Sequence, residues 1–412
     1  MGAGTLIELI ARGQQDTYII GNPNFSYFKS VYRRHTNFSI EPIRQIFTES
    51  PNFGKRVTCI IDKKADLLND IILEIELPAI SPTVQFLSWV NGIGNFILDW
   101  VEVQFGGEPI DRIQADILDA WMELTTKPGV KPQLYSMIAK TPTSSSIQNT
   151  TSLKLLVPLP FWFCRSIERA LPLISMQYTD VKIVVQFKTF DQCWFKATSA
   201  ALPTIIPSIG KANLICNYIY LDVFERTKFA KQQIHEYLIE QFQQTSLYQI
   251  PENILNLNAR IFFNHPVKEL IWMYRSSFAL SINDYYNYSN YNTLITQDSI
   301  TNMQTLGVPI DQVQIRYNGN DRFELLPETF FRLYQPYRYH SSGTTNNIYV
   351  YSFAIDPENM QPSGTCNFSK IDNATLNITF VPNIKDGVLS IYATNYNILR
   401  IKSGMAGVMF SS

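Results

Sequence analysis

Apolar and polar residues alternate along much of this 412-residue chain, the period of β-strands that bury one face. The alternation predicts strands over residues 57–61, 71–77, 96–105, 153–159, 181–187, 215–224, 258–263 and 267–274. Extended segments marked by Phe38, Ile40, Ile43, Ile46 and Phe47 come earlier, broken by Pro42 and Pro51, a placement that suits strand edges because proline donates no ladder hydrogen bond. Helical spacing interrupts the pattern at Ile113, Ile117, Leu118, Trp121 and Leu124, with Asp111 or Asp116 available as a cap. A second short amphipathic helix is expected after Asn22-Pro23, with Phe25, Phe28 and Tyr32 on one face, forming core. Residues 127–151, rich in proline and then in Ser and Thr, predict a long surface insertion, and the polar stretch 228–244 predicts a junction between halves. Two further loops are expected at 283–292 and 341–347.

The pattern also repeats. Val101-Glu102-Val103-Gln104-Phe105-Gly106-Gly107-Glu108 is echoed by Val313-Gln314-Ile315-Arg316-Tyr317-Asn318-Gly319-Asn320, an alternating strand running into a glycine turn. Residues 181–187 are echoed by 374–380, and 73–77 by 270–274. The three echoes keep their order, and each offset is about half the chain, as a duplicated domain with diverged loops requires. Many short strands, frequent turns and 22 prolines describe an all-β chain of two antiparallel sandwiches with short inserted helices, in two domains of roughly 200 residues each. Eight-stranded jelly rolls match this size, although periodicity does not separate them from other sandwiches.

Charge narrows the function. The net charge of −1 comes from 34 basic and 35 acidic residues with neither sign concentrated, which argues against direct nucleic-acid packaging. Arg33-Arg34-His35 is the nearest approach to a basic cluster and is read as a solvated or subunit-contacting edge. Cys59, Cys164, Cys193, Cys216 and Cys366 are scattered and odd in number, which favours free thiols in a reducing compartment. The N-terminus lacks the pattern of a signal peptide, so synthesis in the cytosol is expected and the seven Asn-x-Ser/Thr sequons, at Asn24, Asn37, Asn149, Asn287, Asn367, Asn373 and Asn377, read as by-products of composition.

Catalytic motifs are absent. His35, His235, His265 and His340 lie in separate segments without zinc-ligand spacing. No nucleophile elbow or phosphate loop occurs, and Gly92-Ile93-Gly94 reads as a loop and not a dinucleotide fingerprint. Asp62-Lys63-Lys64-Ala65-Asp66 reads as a charged turn. No catalytic, cofactor-binding or metal residue is therefore assigned. Tyr285, Tyr286, Tyr288 and Tyr291 are candidate contact anchors, since aromatic side chains offer large area at low entropic cost.

Several segments carry a family resemblance. These are Gly21-Asn22-Pro23 through His35-Thr36-Asn37-Phe38, Pro158-Leu159-Pro160-Phe161-Trp162-Phe163-Cys164 with Ala170-Leu171-Pro172-Leu173, and Ser352-Phe353-Ala354-Ile355-Asp356-Pro357-Glu358 running into Pro362-Ser363-Gly364-Thr365-Cys366. Together with Asn397-Ile398-Leu399-Arg400-Ile401-Lys402-Ser403-Gly404 they resemble the major capsid proteins of nucleocytoplasmic large DNA viruses, over about residue 13 to the end. The resemblance implies a double jelly-roll, with an N-terminal segment at 1–36, one roll at 37–225 and another at 226–412. It also implies a structural subunit, not an enzyme, that homotrimerises into a pseudo-hexameric capsomer and tiles an icosahedral shell. Its partners would be its own copies, neighbouring capsomers, minor capsid proteins and an internal viral membrane, with no cofactor and no direct nucleic acid. Its place would be the virion, assembled in host cytoplasm. The rival expectations are a transient scaffold protein of the same fold and a carbohydrate-binding or carbohydrate-processing sandwich.

Overall fold

The structure, a computed structural model, describes residues 2–79, 88–141, 146–147, 152–196, 206–290, 307–343 and 346–410. Residues 1–37 and 38–412 form two compact units. The first unit contains helices α1 (Ala3–Ile10) and α2 (Thr17–Ile20). The helix expected after Asn22-Pro23 does not form. Asn22 adopts the left-handed conformation (φ 49°) and the chain to Asn37 runs without regular structure. Phe25, Phe28 and Tyr32 are exposed, so the expectation that they form core also fails.

In the second unit, besides a two-stranded pair at Trp89–Val90 and Ser146–Ile147, eight strands come first: β1 (Phe38–Ile46), β2 (Arg56–Ile60), β3 (Leu67–Leu77), β4 (Leu98–Phe105), β5 (Glu108–Gln114), β6 (Leu153–Pro158), β7 (Val181–Phe187) and β8 (Lys211–Leu221). They make two four-stranded antiparallel sheets, in the order β1-β8-β3-β6 and β2-β7-β4-β5. Eight more follow: β9 (Ile234–Gln244), β10 (Asn256–Ile261), β11 (Pro266–Ser276), β12 (Ile310–Tyr317), β13 (Asn320–Asp321), β14 (Ile348–Ser352), β15 (Ala374–Phe380) and β16 (Gly387–Lys402). Their sheets run β9-β16-β11-β14 and β10-β15-β12-β13, again antiparallel. Adding eight to every strand of the first pair of sheets gives the second pair. Each pair is a jelly roll, and the fold is the double jelly-roll that the sequence suggested. Short strands at 248–250, 366–367 and 405–408 extend the β9 to β14 sheet.

The sequence echoes fall on equivalent strands, β3 with β11, β4 with β12 and β7 with β15. Both β4–β5 and β12–β13 turn through two left-handed residues, Gly106-Gly107 (φ 59° and 95°) and Asn318-Gly319 (φ 50° and 83°). This is the turn whose twist matches a tight hairpin, and it is why Gly-Gly and Asn-Gly stand at these points.

Helices fill the connections. Ile93–Phe96 (α3) follows Gly92, which is left-handed (φ 67°), so the Gly92-Ile93-Gly94 segment opens a helical turn and is not the expected loop. A Cβ on Gly94 would sit 2.7 Å from the Cα of Ile138, so the residue is small because another segment crosses it. Ala115–Thr125 (α4) lies where the spacing predicted, but its N-cap is Gln114 and neither aspartate caps it. Asp111 and Asp116 face other parts of the protein, as described below. The expected surface insertion begins instead with a helix, Lys131–Ile138 (α5), and reaches the buried Lys140; residues 142–145 and 148–151 of it lie outside the described ones. Only the start of the stretch 228–244 belongs to the linker. The connection is helix Val223–Lys231 (α6), capped by Asp222 accepting from the Glu225 N–H at 2.8 Å, and Ile234–Gln244 is a strand. A π-turn at Phe330–Tyr334 leads into α7 (Gln335–Tyr339).

One apolar core fills the first roll, with Val57, Leu73, Val101, Trp162 and Val185 among its members. A second fills the other, around Leu270, Trp272, Val313, Leu376 and Leu389. Trp162 meets Phe105 and Phe163 edge-on at 6.1 and 5.1 Å, and Trp121 meets Phe242 edge-on at 5.5 Å. Both indoles are buried. Replacing either Trp121 or Trp162 with Ala is expected to cost about 3–5 kcal/mol, read as a lower midpoint in chemical denaturation of the purified chain.

Candidate functional site

The arrangement that distinguishes this protein is the seam between its rolls. In β3 of the first roll, buried positions alternate with partly exposed ones through the second half of the strand. Its counterpart β11 is buried at ten of eleven positions, and β14 at all five. Leu270, Trp272 and Tyr274 of β11 face their own core, whereas Ile271 and Met273 belong to the core of the other roll. The same division separates Tyr349 and Tyr351 from Ile348 and Val350 on β14, and Leu389 and Ile391 from Tyr392, Leu399 and Ile401 on β16. Strand β5 and the turn Trp162–Arg165 of the first roll pack on β9. The apolar interior is therefore continuous from one roll into the next.

Several charged groups reach across or along this seam to buried partners. Glu240 of β9 is buried and receives Arg169 Nη1 and Lys268 Nζ, each at 2.8 Å, together with Arg165. Burial alone would push its carboxyl up, but Lys268, Arg165 and Arg169 outweigh that and hold it at about 2. Asp111 of β5 accepts from the backbone N–H of Phe242 at 3.0 Å, bridging the rolls; burial raises its carboxyl to about 7, against that hydrogen bond and Arg165. Asp116 takes a two-pronged contact from Arg275 of β11, at 3.1 and 3.2 Å. Arg165 also lies 4.3 Å from the ring centre of Trp121, a cation–π contact.

The tyrosines nominated as surface anchors turn inward. Tyr285, Tyr286 and Tyr288 are buried. Tyr285 stacks on Phe96 of the first roll at 5.2 Å, Lys188 sits 4.2 Å from its ring centre, and Lys140 sits 3.9 Å from that of Tyr286. They anchor one roll to the other and not one molecule to another. Tyr291 lies outside the described residues.

The histidines do not converge on a reactive centre, and among the described residues no group of His, Cys, Asp and Glu is arranged to hold a metal ion. His235 Nε2 lies 3.1 Å from Ser175 Oγ and 3.2 Å from the Phe229 carbonyl. His265 sits in a left-handed turn (φ 66°) with its N–H donating to Ser369. His340 is buried between Glu358, at 3.0 Å, and Glu269, at 3.2 Å. Burial pushes its imidazole down, but the two carboxylates override this and raise it to about 9. Asp66 departs from the charged-turn reading: it is buried, accepts from the Leu221 N–H at 2.8 Å and pairs with Arg226 at 3.0 Å. The five cysteines are free thiols.

Two places gather several uncovered apolar groups each. The first is the N-terminal unit, where Arg33-Arg34-His35 is also exposed beside Tyr32. The second is the face of the π-turn and α7, where Phe330, Leu333, Tyr334 and Tyr337 line an open hollow with Pro327 and Thr329. Clustered exposed aromatics of this kind mark contact surfaces.

A profile of the major capsid protein N-terminus matches residues 26–222, and one of the large eukaryotic DNA virus major capsid protein matches residues 225–407. The major capsid protein of Pyramimonas orientalis virus is 38% identical, with both chains covered in full. This chain belongs to the major capsid protein family of large DNA viruses. The major capsid protein of Paramecium bursaria Chlorella virus 1 is 33% identical over the whole of both chains. A chain of the quasi-atomic PBCV-1 virus capsid superposes with a TM-score of 0.81 at 32% identity, covering 94% of this chain and 100% of that one. The Faustovirus major capsid protein shares the fold, with a TM-score of 0.75 at 13% identity over 97% of this chain and 96% of that one. The family is structural and not enzymatic, and the chain is a virion capsid component.

The charged seam went unforeseen in the sequence because Arg165, Arg169, Glu240 and Lys268 belong to three separate segments with no shared spacing. Removing the charge of Glu240 with Glu240→Gln would strand three buried cations and is expected to cost about 3–5 kcal/mol. Because its folded value lies below the ordinary 4.5, the stability it contributes is present above pH 4.5 and is lost as pH falls toward 2. His340 works in the opposite sense. Its folded value is raised from 6.5, so its contribution is complete below pH 6.5 and fades as pH climbs through about 9. Unfolding free energies measured from pH 6 to pH 10 should fall less steeply in His340→Gln than in the parent.

Proposed function

We propose that this capsid protein homotrimerises into a capsomer of near six-fold outline that tiles the flat facets of an icosahedral shell. The observation that carries this reading is the eight-strand repeat of sheet order. Two rolls of one topology in one chain give a three-fold trimer six similar edges, so one polypeptide can meet six neighbours by repeated contacts. The seam makes that geometry dependable, because a continuous core and paired buried charges leave the rolls no low-cost way to swing apart. Near-zero net charge reduces repulsion among many copies. In this reading the chain divides into a segment at 1–36 and rolls at 37–225 and 226–412. Its partners are its own copies, adjoining capsomers, minor capsid proteins and an internal membrane, it needs no cofactor, and assembly takes place in the host cytoplasm. The uncovered face at Phe330, Leu333, Tyr334 and Tyr337 is a contact between copies.

Light scattering behind size-exclusion chromatography should give a particle of about 140 kDa, three times the 47.3 kDa chain. A monomer at micromolar concentration would overturn the proposal. Joint replacement Leu333→Asp and Tyr337→Asp should weaken association between copies while leaving the circular dichroism of the folded chain unchanged.

A further inference from the structure

Helix α4 carries Asp119 and Glu123 one turn apart, hence on the same face. Both side chains point into the protein, 0% and 4% exposed, and Lys140 enters between them at 1%. Its approach is set by Ala139, held left-handed (φ 51°) at the end of α5. Lys140 Nζ lies 2.6 Å from Asp119 Oδ1 and 2.9 Å from Glu123 Oε1, against the Tyr286 ring. Two further donors hold Glu123, Lys131 Nζ at 3.1 Å and the Tyr135 hydroxyl at 3.0 Å. Asp119 is held on one oxygen only. Oδ1 accepts from Asn95 Nδ2 at 3.1 Å, whereas Oδ2 is buried and has no hydrogen-bond partner among the described residues. Leaving a buried carboxylate oxygen unpaired is costly, and a purely structural ion pair gains nothing by it.

We propose that this cluster is a self-modification site, in which the Lys140 amine and the Asp119 carboxyl condense to an intramolecular amide. The reactive arrangement is the ion pair with one proton moved from Nζ to the aspartate and resting on Oδ2, so that Oδ2 is a hydroxyl and Oδ1 the carbonyl oxygen. The Nζ lone pair attacks Cγ while Asn95 holds Oδ1 as charge develops on it. Glu123 takes a proton from Nζ and delivers it to Oδ2, which leaves as water. One C–N bond forms and one C–O bond breaks, with no oxidant or reductant required. The two carboxyls are biased toward these roles: burial raises Asp119 toward its acid form, while Glu123, which burial would also raise, is drawn down by Lys140 and Lys131 and stays a proton acceptor. Both carboxylates favour the charged ammonium of Lys140, so the neutral amine is scarce and the reaction is slow. Its product ties α4 covalently to the segment behind α5, whatever the oligomeric state of the protein.

Intact mass spectrometry of the purified full-length chain tests this. The folded protein, incubated at neutral pH, should fall short of its sequence mass by one water, and its digest should contain a branched peptide joining Asp119 to Lys140. Glu123→Gln, which retains both reacting groups, and Lys140→Arg should keep the full sequence mass. The parent protein alone is decisive if either variant misfolds. Full sequence mass after prolonged incubation, or loss of water without the branched peptide, overturns the proposal.

Discussion

Strands that must be buried on both faces cannot belong to an isolated sandwich, and β11 and β14, at one end of the sheet β9-β16-β11-β14, are such strands. One face closes the second core and the other completes the first. The second roll thus finishes the interior of the first, and the chain is bound to fold with its halves side by side. At about 25 cal/mol per Å² of apolar surface removed from water, large side chains such as Met273, Val350 and Tyr392 make separation of the rolls expensive. The outward-facing strands of the first roll carry no such requirement, and β1 remains exposed along most of its length.

Charges within this seam do a different task from its apolar residues. Apolar packing is non-directional, and a sheet sliding on a core by one pleat would lose little. Glu240, gripped by Arg165 and Arg169 from the first roll and Lys268 from the second, is satisfied in one register only. Asp116 with Arg275, and Asp111 with the Phe242 amide, apply the same condition at other points. Buried pairs of this sort add little stability relative to apolar residues, yet breaking one is costly. Their effect is to fix how the rolls are set, which a subunit repeated across a shell requires.

The aromatic segment around Tyr285 shows how composition can mislead about exposure. Polar and aromatic residues without periodicity read as a surface loop, and here they pass between the rolls. The tyrosines present rings to Phe96, Lys140 and Lys188 from the first roll. Asn287, which heads a glycosylation sequon, is buried with them. Conversely, the aromatics after Asn22 read as a helix face with a core to join and are left uncovered. Amphipathic spacing records that a face needs a partner, without saying whether that partner lies in the same chain.

The strands and their duplication were legible in the sequence because they rest on short-range rules. Side chains alternate with a period of two wherever one face is wet, as along β3, and the Gly106-Gly107 and Asn318-Gly319 turns fix tight hairpins at equivalent points. These local signals sufficed for two sandwiches and, with the resemblance to a capsid family, for the double jelly-roll. Strand β9 escaped because its residues alternate weakly, and α4 was capped by neither predicted aspartate because both carboxylates had longer-range partners. The seam was decided only in three dimensions. A glutamate at 240 and a lysine at 268 have no relation along the chain, and only the packing of one roll on another removes the water that would otherwise keep them apart.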